Sequence, residues 1–156
     1  MRKRIRDYGI IIGKHRPGAL NKITDVPGVQ VGHATVDTED HKTGVTVILP
    51  CEDNPFVNKL TAAAYVHNGF GKTTGTLQIA ELGTLETPIA LTNTLNVGLV
   101  QDALVDYMIT KCRAEKVQVS TVNAVVGECN DGFLNRIRER AVGKEEVYQA
   151  IQSASR

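Results

Sequence analysis

TPIALTNTLNVG, residues 87–98, marks the point at which an apolar strand pattern changes into a helical one. The stretch opens with a short apolar run, which is typical of a buried strand, and continues in the small polar residues Thr92 to Asn96. Beyond them, apolar side chains recur every three or four residues, at Val97, Val100, Leu104, Met108 and Cys112. The pattern therefore predicts a strand, a polar turn and a core-facing helix over 97–113.

Strand and helix patterns also occur elsewhere in the chain. Strands are predicted in ITDVPGVQVGHATV from Ile23, GVTVILP from Gly44, AAAYVHN from Ala62 and VSTVNAVVGEC from Val119. The nearly continuous apolar run of GVTVILP favours a strand covered on both faces. A second helix is predicted in KEEVYQAIQSA from Lys144, and a short one in DGFLNRIRER from Asp131. Together these patterns predict an α/β (α+β) fold, with a mixed sheet and packed helices.

Composition is that of an ordinary globular protein. The 156 residues suit one domain, which we take as 1–156. A formal net charge of +1 gives no electrostatic reason to expect nucleic acid as a partner, and the cationic cluster MRKRIR is typical of a solvated tail. No apolar run approaches the roughly 20 residues that span a membrane, and the start of the chain lacks a signal-peptide pattern. We therefore expect a cytoplasmic protein that does not bind a membrane.

Cysteine and histidine spacing does not favour a metal site. Cys51, Cys112 and Cys129 are odd in number and form no C-x-x-C pair. The four histidines are scattered, and none pairs with another at the i, i+4 spacing. We expect no bound metal and no disulfide framework.

The glycine-rich stretch AYVHNGFGKTTGT, residues 64–76, raises the alternative of nucleotide binding. Gly71-Lys72-Thr73 matches the end of a phosphate-binding loop, which needs a first glycine five residues earlier. Val66 stands at that position, and a β-branched residue resists the positive φ that glycine tolerates. The pattern favours a strand-to-strand glycine turn over a phosphate-binding loop.

Two polar clusters follow predicted strands and are candidates for chemistry. The residues Thr92 to Asn96 lie where side chains either cap the next helix or point into a cleft. Glu128, Asn130 and Asp131 follow the last apolar run. A carboxylate at the end of a strand can hold a cationic substrate group, or it can be an acidic turn residue that bonds its own backbone. The residues alone leave both alternatives open.

Five blocks in a fixed order resemble one known family. They are GALNKITDVPGVQVGHATV, TGVTVILP, NGFGKTTGT, TPIALTNTLNVG and GECNDGFLNRIR, and the resemblance runs from about Ile10 to the last residue. The family is that of the self-processing N-terminal-nucleophile aminopeptidases, which includes L-aminopeptidase/D-esterase, D-aminopeptidase and β-peptidyl aminopeptidase. The resemblance implies a layered α/β/β/α sandwich, incomplete here because the chain matches the N-terminal part of the first subunit. It also implies a precursor that cuts itself into two chains, and a homo-oligomer of the processed pairs.

The resemblance also implies a serine-type hydrolase that needs neither a metal nor an organic cofactor. Its substrates are short peptides, amino-acid amides or esters with a free amino end. By its place in the E-x-x-D-G block, Glu128 corresponds to the residue that binds the substrate's ammonium group, and Asn93, Asn96 and Asn68 are assigned to substrate binding with it. Asn130 stands where some members have an aromatic hydroxyl, and we assign it to support of the oxyanion.

The family's nucleophilic serine does not occur in this sequence. In the family it opens a strand that resembles G-S-I-x-V-V-V-A-T, whereas Ser120, Ser153 and Ser155 have other contexts. Lys72 is a second departure, because many members have an acidic or neutral residue there. We therefore expect a scaffold and one wall of the substrate site, inactive alone, with the nucleophile on a second subunit. The alternative is a non-catalytic binding or assembly protein that has lost the nucleophile strand.

Overall fold

The computed structural model describes residues 3–156. The strands are β1 (Gln30–Asp37), β2 (Lys42–Leu49), β3 (Leu60–Thr61), β4 (Thr84–Leu85), β5 (Ile89–Asn93) and β6 (Val125–Cys129). The α-helices are α1 (Thr76–Leu82), α2 (Val97–Ala114) and α3 (Lys144–Gln152), and short 3-10 turns occur at Ile5–Tyr8, Ile23–Asp25, Thr94–Asn96 and Ile137–Glu139.

The predicted basic tail lies only partly within the described residues, because Met1 and Arg2 fall outside them. The described part is exposed apart from the half-buried Arg6. The Arg4 guanidinium donates to the carbonyl oxygens of Leu20 and Asn21, at 3.1 and 3.3 Å. The start of the chain is therefore attached to the loop before β1.

Four strands form one mixed sheet in the order β1-β2-β5-β6. The pairs β1–β2 and β2–β5 are antiparallel, whereas β5–β6 is parallel. Parallel neighbours need a crossover connection, and α2 supplies it. The strand, turn and helix predicted from TPIALTNTLNVG are confirmed, and the five stripe residues of α2 are all buried. The strands β3 and β4 form a separate antiparallel pair.

Helices α2 and α3 cover one face of the sheet. The core between them contains Val45, Val47, Ala90 and Val126 from the strands, and Val100, Leu104, Val147 and Ala150 from the helices. Gly32 of β1 lies beneath α3, where an added Cβ would come within 1.8 Å of the Ala150 carbonyl oxygen. The close approach of α3 to the sheet therefore depends on the missing side chain at this position.

The second face of the sheet is covered at one end only. There, Ile79 of α1 and Leu85 of β4 pack on Val125. Toward the carboxyl ends of β5 and β6 the face is open, and Leu91 is 45% exposed. The described residues thus form one helical layer on a four-stranded sheet, with α1 and the two-stranded β3–β4 pair on part of the opposite face. This architecture agrees with the expected mixed α/β fold, present here as an incomplete sandwich.

A buried carboxylate fixes the chain as it enters β6. Glu86 accepts hydrogen bonds from the backbone N–H of Asn123 at 2.8 Å and from its side-chain amide at 3.0 Å, and it pairs with Lys59 at 2.9 Å. Burial alone would raise the pKa of Glu86, but the hydrogen bonds from Lys59 and Asn123 outweigh it and hold the pKa below its ordinary value. Charged Glu86 therefore holds the start of β6, the strand that contains Glu128.

Two predicted strands differ from their expected form. GVTVILP forms β2, but only one of its faces is covered by the described residues: Val45 and Val47 are buried, whereas Thr46 and Ile48 are half-buried. AAAYVHN is not a strand, because pairing ends with Thr61 and the following residues are mostly exposed. The glycine-rich loop therefore leads from β3 into α1, a helix that the sequence pattern did not predict.

The predicted short helix in DGFLNRIRER is also wrong. The stretch forms turns and the 3-10 turn Ile137–Glu139. The apolar Leu134 is 65% exposed, while the polar Asn135 is buried. The Asn135 side chain is held by Asp131 and by His41 of a distant turn, and those polar contacts determine the local path.

Replacing Gly32 with alanine tests the close approach of α3. We expect Gly32→Ala to lower the free energy of unfolding by about 3 kcal/mol, because the methyl group must displace the helix or the strand. Urea denaturation measures the change. Gly98→Ala is the control: no atom lies within 4 Å of a Cβ at Gly98, so its free energy of unfolding should be unchanged or slightly raised. Equal losses in the two variants would contradict the packing argument.

Candidate active site

The two polar clusters of the sequence meet at one end of the sheet. Because β5 and β6 are parallel, their carboxyl ends lie side by side, with Thr92 opposite Glu128 and Asn93 opposite Cys129. The beginning of β2 reaches the same end, because β2 runs antiparallel to β5. Ligand sites often lie at such strand ends in α/β sheets.

A cavity of about 410 Å³ lies at this end of the sheet, on the face that α2 and α3 leave open. The residues that matter for its chemistry are His33, Thr43, Leu91, Asn93, Glu128 and Asp131. The cavity combines apolar strand residues with two carboxylates. This composition suits a small ligand that carries a positive charge.

The half-buried Glu128 carboxylate is held in place by two neutral donors. The Thr94 hydroxyl donates to Oε2, and the backbone N–H of Lys72 donates to Oε1 at 3.3 Å. Among residues 3–156, no side-chain nitrogen of a lysine, arginine or histidine lies within 4 Å of this carboxylate. Glu128 is thus positioned by protein dipoles, while its charge has no ionic partner in the described part of the chain.

Lys72 lies next to Glu128 in space but does not neutralise it. Its ammonium group donates to the Phe70 carbonyl oxygen at 3.0 Å and lies 4.2 Å from the centroid of the Phe70 ring. Only the backbone of Lys72 contacts the carboxylate. The same contact argues against nucleotide binding, because a carboxylate occupies the N–H group that a phosphate would need and would repel it.

Asn93 lines the cavity, but both ends of its amide have partners within the chain. Its Oδ1 accepts from the Leu95 N–H and its Nδ2 donates to the Thr43 hydroxyl, each at 3.1 Å. Asn93 therefore caps the turn before α2, one of the two alternatives predicted for this cluster. The contact with Thr43 also ties the end of β5 to the start of β2.

Asn130 has a free donor beside the cavity. Its Oδ1 accepts from the Gly132 N–H at 3.0 Å, and its Nδ2 makes no hydrogen bond to the described residues. The side chain is exposed. The amide hydrogens are thus available, although Asn130 itself does not belong to the cavity wall.

The structure does not bring Asn96 and Asn68 into the cavity wall. Asn96 is fully buried, and its Nδ2 donates to the Val142 carbonyl oxygen at 2.5 Å. Asn68 is exposed, and its Oδ1 accepts from the Phe70 N–H at 3.0 Å in the glycine-rich loop. Both contacts shape backbone near the site.

Thr94 and Asp131 contribute to the site and were not assigned roles from the sequence. The crossover from β5 to β6 could have indicated that Thr94 belongs to the site. Such a crossover places the residue that follows β5 beside the end of β6, where Glu128 lies. Asp131 lies directly after the E-C-N run, and it reaches the cavity because the chain turns there. The three serines, Ser120, Ser153 and Ser155, do not line the cavity.

Within residues 3–156, no group of three or more histidine, cysteine, aspartate or glutamate side chains is arranged to hold a metal ion. No helix in this range is long and apolar enough to cross a membrane.

A family model described as Peptidase family S58 matches residues 21–156. The chain belongs to peptidase family S58. The S58 match includes both strands that end at the cavity and the whole helical layer, so it covers the candidate site as well as the scaffold. It confirms the resemblance that the five sequence blocks indicated.

Two of the three relatives described next for this S58 chain are named as aminopeptidases. It is 38% identical over 160 residues to β-peptidyl aminopeptidase BapA of Sphingosinicella xenopeptidilytica. Its structure is similar to that of the PH0078 protein from Pyrococcus horikoshii OT3, with a TM-score of 0.90 and 45% identity. It is also similar to the L-aminopeptidase D-Ala-esterase/amidase of Ochrobactrum anthropi, described as a serine aminopeptidase with a variant of the Ntn hydrolase fold, with a TM-score of 0.88 and 30% identity.

The S58 chain spans less than half the length of these relatives. The match covers 97% of this chain but 39% of the Sphingosinicella protein. It covers 98% and 99% of this chain but 46% and 45% of the Pyrococcus and Ochrobactrum chains. The helical layer and sheets described above are therefore part of a larger fold in these relatives.

Removing the Asn93 side chain should weaken the end of β5. We expect Asn93→Ala to lower the free energy of unfolding by about 1–2 kcal/mol, because the Leu95 N–H loses its cap and Thr43 loses a buried partner. Urea denaturation gives the value. Asn68→Ala is the control, because it removes a similar cap in an exposed loop. It should lower the free energy of unfolding by less than about 0.5 kcal/mol. The prediction is wrong if both variants lose the same stability.

Proposed function

We propose that this chain forms the ammonium-binding wall of an S58 aminopeptidase whose nucleophilic serine lies outside these 156 residues. The observation that carries the proposal is Glu128, a half-buried carboxylate that has no ionic partner among residues 3–156 and is held by Thr94 and Lys72 N–H at the edge of a cavity. An amino end of a substrate would supply the missing positive charge. Short peptides, amino-acid amides and amino-acid esters all present such a group.

The proposed reaction is nucleophilic acyl transfer. The N-terminal serine hydroxyl attacks the carbonyl carbon, its proton passes to a neighbouring base such as its own α-amine, and the amine or alcohol departs. Water then hydrolyses the acyl-enzyme. The tetrahedral intermediate needs donors for its oxyanion, and we assign that role to the Nδ2 of Asn130, which makes no hydrogen bond to the described residues. Asn93, Asn96 and Asn68 support the substrate wall through the local contacts described above.

The proposal includes a second subunit that begins with the serine, and a homo-oligomer of such pairs. The open face of the sheet beside the cavity is consistent with a further layer contributed by the rest of the protein. The absence of serine from the cavity wall supports a nucleophile supplied by that layer. A cytoplasmic location is also proposed, and the three free cysteines are consistent with a reducing compartment.

Intact-mass spectrometry of the protein from its native source tests the two-chain proposal. We expect a second polypeptide with an N-terminal serine to accompany this one. The 156-residue chain expressed alone should not hydrolyse an amino-acid p-nitroanilide, whereas the complete protein should. A single chain ending near Arg156 in the native source would favour the non-catalytic binding protein instead. Serine-dependent turnover by the isolated chain would contradict the assignment of the nucleophile to a second subunit.

Neutralising Glu128 tests the ammonium site in the complete protein. We expect Glu128→Gln to raise KM for an amino-acid p-nitroanilide about tenfold or more and to change kcat less, because the ammonium contact is similar in the ground and transition states. Steady-state kinetics separate the two constants. Lys72→Met is the control, since its ammonium group contacts Phe70 rather than Glu128, and its KM should stay within about twofold of the wild type. A Glu128→Gln variant with normal KM and a lower kcat would count against a binding role.

A further inference from the structure

The turn between β1 and β2 is attached to the segment after β6 through the His41 side chain. His41 Nδ1 lies 2.8 Å from Asn135 Oδ1, and His41 Nε2 lies 3.0 Å from Glu139 Oε2. The histidine side chain is only 16% exposed. Its backbone is fixed by the turn, because the Thr38 hydroxyl accepts from the His41 N–H and the Thr38 N–H donates to the His41 carbonyl oxygen.

The hydrogen-bond network determines the direction of the contact with Asn135. Asn135 Nδ2 donates to Asp131 Oδ1 at 3.0 Å, so the oxygen of the amide is the atom that faces His41. His41 must therefore donate from Nδ1. Glu139 Oε2 faces the other ring nitrogen, Nε2, so the imidazole is held from both sides.

This chain of contacts ends in the wall of the candidate active site. Asp131 lines the same cavity as Glu128, and its Oδ2 makes no hydrogen bond to the described residues. The Asp131 carbonyl oxygen accepts from the N–H groups of Leu134 and Asn135, each at 3.0 Å. Asn135 is buried, so without His41 its Oδ1 would lose its donor in a place with little access to water.

We propose that His41 is a positioning residue that acts through Asn135 to hold Asp131 in the cavity wall. Asp131 then provides a second carboxylate near the ammonium group that Glu128 binds, with Oδ1 occupied by Asn135 and Oδ2 directed to the substrate. This inference rests on the proposed aminopeptidase function. It gives the β1–β2 turn a role in substrate affinity, although that turn is 87 residues before Glu128 in the sequence.

A second set of contacts at the same junction provides a matched control. Arg136 pairs with Asp40 at 2.8 Å and with Glu139 at 3.8 Å, and its side chain is 61% exposed. Arg136→Met removes these ion pairs but leaves the path from His41 through Asn135 to Asp131. Exposed pairs of this kind contribute little to stability, so the variant should fold normally.

The experiment measures KM and kcat of the complete protein with an amino-acid p-nitroanilide. We expect His41→Leu to raise KM about fivefold with kcat within about twofold of the wild type. The reason is that Asp131 would contact the substrate ammonium group equally in the ground state and the transition state, so misplacing Asp131 weakens binding more than it slows the reaction. His41→Asn, whose amide can replace the Nδ1 donor, should restore most of the affinity.

In an Asp131→Asn background, His41→Leu should raise KM no further, since both changes act on one carboxylate. An additive effect, or an effect of Arg136→Met equal to that of His41→Leu, would overturn the proposal.

Hydrogen exchange of residues 130–136 provides a readout that does not depend on turnover. His41→Leu should speed exchange of the Leu134 and Asn135 amides, which bond to Asp131, and Arg136→Met should do so much less. Unchanged exchange in His41→Leu would refute the positioning role whatever the kinetics. If the wild-type protein hydrolyses no amide yet His41→Leu speeds exchange selectively, the aminopeptidase proposal fails and the positioning of Asp131 by His41 stands.

Discussion

Parallel pairing of β5 with β6 is the constraint on which the site depends. It brings the strand ends together in a register that sets Thr92 opposite Glu128, and it requires α2 to cross one face of the sheet. The helix buries its apolar stripe in that crossing and leaves the opposite face open at the same end. One packing arrangement thus forms both the core and the cavity.

The site is held by connections between segments that are distant in sequence. Glu128 receives donors from the turn before α2 and from the glycine-rich loop, which begins more than 50 residues earlier. Gly71 allows that loop to come close, because a Cβ there would lie 3.1 Å from Glu128 Oε1. Buried Glu86 fixes the other end of β6 through Asn123. The carboxylate is therefore oriented by contacts at both ends of its strand.

Sequence reasoning succeeded where local pattern and tertiary environment agree. The stripe of α2 and the apolar run of β5 were sufficient to predict both elements, since their burial follows their own periodicity. It failed in DGFLNRIRER, where a buried Asn135 bonds His41 from 94 residues away and an apolar Leu134 is exposed. It also could not predict the direction of the Lys72 side chain, which depends on the Phe70 ring and carbonyl. The role of Glu128 came from family resemblance, whereas its contact with Thr94 follows from the crossover topology.

Holding Glu128 with neutral donors has an electrostatic consequence for the surroundings of the cavity. A carboxylate paired with lysine or arginine would present almost no net field to the solvent, whereas one held by a hydroxyl and a backbone N–H keeps its full negative charge. Asp131 adds to that field from the same wall. At an ionic strength of 0.1 M such a field extends over a screening length of about 10 Å, far enough to attract a cationic molecule before contact. In the proposed aminopeptidase, the choice of donors would therefore influence how often a substrate arrives as well as how well it is held.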